Sequence, residues 1–151
     1  MESVHLMIKV ILGISPTAMM ALANKCEARA VHNTFVETFP EGRHHPSTHG
    51  AIAERIVEYA KLNNRNVNVV THSELLVMRL RRMVLEEQLS KDDLLIVWIG
   101  LENNSTEPVE IRVDSYGSPN AWPVGMFDMA IIELCEMFKI QRARTKGKRG
   151  R

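Results

Sequence analysis

The stretch 69-VVTHSELLVMRLRR-82 decides how the chain is read. Val69, Val70 and Thr71 are β-branched and close a strand-like run, "NVNVV". Ser73 then opens "SELLVMRLRRMVLEEQL" as the N-cap of a helix. A strand that feeds straight into a helix is half of a βαβ unit. It sets His72 at the carboxyl end of a strand, the edge where open α/β sheets bind ligands. A histidine there can touch phosphate, metal or a substrate oxygen.

The same alternation extends in both directions. "VHLMIKVILG" reads as a strand, and "SPTAMMALANKCEARA" as a helix with Ser15 as N-cap and Pro16 at its first position. "VHNTFVE" is a strand ending on Glu37, and "TFPEGRHHPST" a loop. A helix from about His49 to Leu62 carries Ile52, Ile56, Val57 and Tyr59 on one side. "SKDD" turns into "LLIVWIG", a continuous apolar run of the kind buried on both faces of a sheet. "PVEIRVD" alternates, and its short connection predicts an antiparallel edge hairpin with the preceding strand. "MFDMAIIELCEMFKI" is a closing helix. The expected class is α/β, with a mostly parallel sheet, flanking helices and a C-terminal antiparallel hairpin.

Length and composition suit one soluble domain: 151 residues, 45% hydrophobic and 25% charged. No apolar run approaches the ~20 residues of a bilayer span, and Lys9 interrupts the apolar start, so a cytoplasmic protein is expected. Cys26 and Cys135 show no metal or disulfide spacing and are expected as buried thiols. The net charge of +1 conceals an asymmetry. Residues 139–151, "KIQRARTKGKRGR", hold seven Lys or Arg and no acid, which leaves 12 bases against 18 acids in residues 1–138. The chain therefore divides into an acidic body, 1–138, and a basic tail, 139–151. Through Arg142, Arg144, Lys146, Lys148, Arg149 and Arg151 the tail would contact nucleic acid or an acidic partner, or only aid solubility. It has no aromatic residue for base stacking, so any nucleic-acid binding would be driven by phosphate. The run "RLRR", 79–82, is expected as a solvated helix face.

Three strand ends carry the candidate chemistry. Gly13-Ile14-Ser15 opens the first helix, Glu37 ends the second strand and His72 the third. A helix start offers N–H groups to an anion, a carboxylate can hold magnesium, and histidine can donate to a phosphate oxygen. Glu37, Glu41, His44, His45 and His49 could also gather around a metal, although "HHPSTH" matches no standard zinc spacing.

These residues resemble a family. "VETFPEGRHHPSTHGAIAERI", then "VNVVTHSELLVMRLRR" and "NAWPVGMFD", resemble the C-terminal half of ABC-type ATPases. The branch is the one that contains OLD-family proteins and a bacterial defence-associated subgroup. The resemblance spans roughly residues 13–139. It implies that His72 is the switch histidine at the γ-phosphate and that Glu37 is the Walker B acid at magnesium. Gly13, Ile14 and Ser15 would be the signature motif, whose helix start serves the nucleotide of an opposite subunit. Pro40, Glu41, His45 and Pro46 would match the loop after Walker B.

The chain departs from that pattern. It contains no G-x-x-x-x-G-K-[ST], Thr38 stands where many relatives carry the water-activating glutamate, and Phe39 adds a residue before Pro-Glu. A threonine hydroxyl cannot serve as general base near neutral pH. The expectation is a chain that neither binds nucleotide tightly nor hydrolyses it alone. It would dock on a P-loop ATPase of the same family as partner, regulator or decoy, in the manner of a phage or mobile-element protein. The alternatives are a split ATPase that meets ATP and magnesium only with a P-loop chain, or a small DNA- or RNA-binding protein led by its tail. Self-association is the other expected partnership.

Overall fold

The computed structural model describes residues 6–13, 15–29, 34–100, 107–123 and 125–149, the side chains of 26–29, 129 and 146–149 excepted. Five strands form one sheet in the order β2-β3-β1-β4-β5. They are β1 (Ile8–Gly13), β2 (Thr34–Thr38), β3 (Asn66–Val70), β4 (Leu94–Ile99) and β5 (Val109–Ile111). The first four are parallel, and β5 pairs antiparallel with β4 through Ile96↔Ile111 and Trp98↔Val109. The fold is thus α/β with a mostly parallel sheet and an antiparallel edge.

Four α-helices join the strands: α1 (Pro16–Arg29), α2 (His49–Asn63), α3 (Glu74–Leu85) and α4 (Met129–Arg149). Strand alternation divides the core in two. Ile8, Val10 and Leu12 of β1, with Val67, Val69, Leu94, Ile96 and Trp98, face α2 and α3. Ile11, Val70 and Ile99 face Met19 and Ala23 of α1 on the opposite side. Each fully buried Val, Leu, Ile or Met side chain among them contributes about 1.5–3 kcal/mol.

Local chemistry sets the helix ends. Ser73 Oγ accepts from the Leu76 N–H at 3.1 Å and caps α3. The periodic pattern after Ser73 predicts a helix reaching Leu89, but α3 stops at Leu85. Glu87 takes the left-handed conformation there (φ 57°), and the turn swings Leu89 into the core. At the far end, α4 runs through the boundary at 138/139, so the basic segment to Arg149 continues the closing helix.

Two expectations about side chains are corrected. Cys135 is exposed on α4, because that helix packs no face into the core; the Cys26 side chain lies outside the described residues. The "RLRR" run is not merely solvated. Arg79 pairs with Glu54 and Arg82 with Glu86, while Arg81 reaches across the fold. Its Nε–H donates to Gly117 O at 2.7 Å, and its guanidinium lies 5.1 Å from the Trp122 ring centre. Burial lowers the Arg81 pKa from its ordinary value. Trp122 also meets Phe127, with ring centres 6.2 Å apart.

Candidate functional site

β1 leaves the sheet toward α1 on one face, whereas its neighbour β3 leaves toward α3 on the other. Such a reversal between adjacent strands opens a crevice at their carboxyl ends. A cleft of about 260 Å³ lies there, with Gly13, Thr71, His72 and Trp98 among its walls and Gly125 and Phe127 from the last loop.

Gly13 lets β1 approach β4 and α1 closely. A Cβ at this position would stand 2.7 Å from Ile99 O and 3.1 Å from Met19 Cγ. Three residues later α1 begins, and its start is less open to an anion than the sequence suggests. Pro16 has no N–H, and the Ala18 N–H is directed to Ser15 Oγ at 3.3 Å. The Ile14 position lies outside the described residues.

His72 is exposed, and its backbone N–H donates to Glu41 Oε1 at 2.8 Å. Its ring stacks on Phe39, with centroids 5.0 Å apart and planes inclined by 24°. Phe39 has φ 48°, a conformation that costs a bulky L-residue roughly 1–2 kcal/mol. Phe39 is therefore strained, and it covers one face of His72. Replacing Phe39 by glycine and by alanine separates strain from ring contact. Both remove the stack, so Phe39→Gly should be more stable than Phe39→Ala by about 1 kcal/mol in urea melts. Equal stabilities would deny the strain.

A second polar chain holds the two helix starts together. His49 Nε2 faces His44 O at 3.2 Å, and a carbonyl only accepts, so Nε2 carries the proton. Nδ1 then accepts from the Ser73 hydroxyl at 2.7 Å, while Ser73 N–H donates to Thr71 Oγ1 at 3.0 Å. His49 is thereby a tie between α2 and α3.

Of the three strand ends, Gly13 and His72 share the crevice and Glu37 does not. Glu37 sits on edge strand β2, opposite Val69 of β3, which places its backbone two strands or about 10 Å from β1. It lines a different cleft with Phe35 and Arg55. The carboxylate beside His72 belongs to Glu41, whose Oε2 is buried without a hydrogen-bond partner among the described residues. Spacing could not reveal this, because the loop 39–45 doubles back through Gly42 N–H to Phe39 O and His44 N–H to Glu41 O. Among the described residues no three His, Cys, Asp or Glu side chains converge as a metal site.

In the basic segment, Arg142 and Arg144 are exposed on α4. The side chains of Lys146, Lys148 and Arg149, and all of Arg151, lie outside the described residues. No described helix is long and apolar enough to cross a membrane. Comparison with protein-family models, curated proteins and solved structures gives no match.

Proposed function

We propose that this chain is a non-catalytic ATPase-like protein that binds a P-loop ATPase of the resembled family as partner, regulator or decoy. One observation carries the reading. Ile131, Ile132, Leu134, Met137, Phe138 and Ile140 of α4 are all large, apolar and exposed, between 39% and 63%. An apolar surface gathered on one helix is a mark of association.

The crevice supports the rest of the reading. His72 beside Gly13 at a topological switch point is consistent with an ancestral phosphate contact. Only two residues separate β1 from α1, however, and a P-loop needs its glycine-rich turn and lysine between strand and helix. Glu37 is turned to another cleft, and no carboxylate occupies position 38. ATP and magnesium would enter only with a P-loop chain, in the cytoplasm, where ATP is available.

The test uses the purified chain alone and with a P-loop ATPase of that family from the same host. Alone, it should give no ATP turnover above buffer. Together, the two should co-elute in gel filtration, and turnover by the partner should change. Turnover that first appears on mixing with a P-loop chain inactive by itself would identify a split enzyme. Robust hydrolysis by the chain alone, or no complex with the ATPase, overturns the proposal.

A further inference from the structure

We propose that the cleft between α2 and edge strand β2 binds a small zwitterion with an apolar body, the chemistry of a free aliphatic or aromatic amino acid. This site is separate from the His72 crevice and does not depend on association through α4.

The cleft follows from how α2 is seated. Its buried residues Ala53, Val57 and Ala60 turn toward β3 and α3, leaving β2 at the sheet margin incompletely covered. A space of about 330 Å³ results, at the small end of the range for ligand pockets. Its floor is hydrocarbon. Phe35 of β2 lies opposite Val67 of β3 in register. Ile52, Ile56 and Tyr59 line it from α2 at helical spacing, and the Phe35 and Tyr59 rings meet at 5.2 Å.

The rim carries both signs of charge. Glu37 follows Phe35 by two residues and therefore projects from the same face of β2. Arg55 lines the cleft from α2. Neither joins any described ion pair, and they do not pair with each other. An unpaired carboxylate and an unpaired guanidinium over one apolar floor suit a ligand with an ammonium, a carboxylate and a hydrocarbon side chain. Glu37 would accept from the ammonium, and Arg55 would donate to the carboxylate in its planar fork. A simple cation would be opposed by Arg55, and a simple anion by Glu37.

The experiment titrates the full chain with L-leucine and L-phenylalanine. Isoamylamine and 4-methylpentanoate, each keeping one charge, serve as controls, and amide resonances report the site. Saturable shifts confined to residues 35–44 and 52–59 are expected with the amino acids, with each one-charge analogue about tenfold weaker or more. Glu37→Gln and Arg55→Met should each weaken leucine binding by a similar factor, with wild-type melting curves showing that the fold is kept. Absence of saturable shifts in the unmodified chain at millimolar amino acid overturns the proposal, whatever the variants do. Equal binding of the one-charge analogues also overturns it, since the cleft would then be an apolar depression only.

Discussion

Gly117→Ala should destabilise the protein by about 2–5 kcal/mol, through two costs that add at one atom. Gly117 has φ +69°, which costs an L-residue roughly 1–2 kcal/mol. Its Cβ would also stand 2.5 Å from the backbone oxygen of Arg81, and forced overpacking of this kind costs about 1–3 kcal/mol. The oxygen belongs to a helix and cannot turn aside. The loop would lift instead, and the Arg81 bond to Gly117 O would be lost with it. Gly125 supplies an internal control. Its φ is +87°, but nothing lies within 4 Å of where a Cβ would be. Gly125→Ala should therefore show the backbone cost alone, and urea melts should rank Gly117→Ala clearly below it. Equal losses would mean that the loop does not rest on α3. Since Gly125 and Phe127 wall the crevice, the more damaging substitution should also deform the environment of His72.

Trp98→Ala should cost about 3–5 kcal/mol, which for a domain of this size corresponds to a fall in Tm on the order of 10 °C. Trp98 is 5% exposed and lies opposite Leu12 in the β1–β4 register, where it fills the core that faces α2 and α3 and walls the crevice. Its removal leaves a void beneath the last loop that neighbouring strands cannot close. Trp98→Phe is the informative comparison. The indole Nε1 is buried with no hydrogen-bond partner among the described residues, so phenylalanine gives up volume but no bond. The phenylalanine variant should keep more than half of the stability that alanine loses. If both variants melt alike, the indole N–H has a partner and this account of its role is wrong.

Part of this molecule was legible from residue order. The β-branched run into Ser73, the Ser15-Pro16 opening and the continuous apolar "LLIVWIG" each encode backbone preferences over a few neighbours. They placed β3, the starts of α3 and α1, and β4 within a residue or two. The end of α3 was missed because apolar periodicity continues beyond it. Glu87 breaks the helix by adopting a positive φ that its residue type does not announce.

The candidate site was legible only as a set of strand ends. Parallel strands bring their carboxyl ends to one edge, which was enough to group Gly13 with His72. Which way each side chain points depends on strand parity, and which strands are neighbours depends on sheet order. Those two facts turned Glu37 toward α2 at the margin and brought Glu41 to His72. A loop that folds back on itself through its own backbone hydrogen bonds leaves no periodic trace in sequence.

The residue order by itself determined the α/β class, the helix starts and the charge division between body and tail, because these rest on local conformational preference and composition. Only the tertiary structure decided that β1 lies between β3 and β4, that Arg81 holds the last loop, and that α4 keeps its apolar side chains in water. Those outcomes depend on contacts between residues far apart in the chain. Their energies come from burial and packing, which no short window of sequence contains.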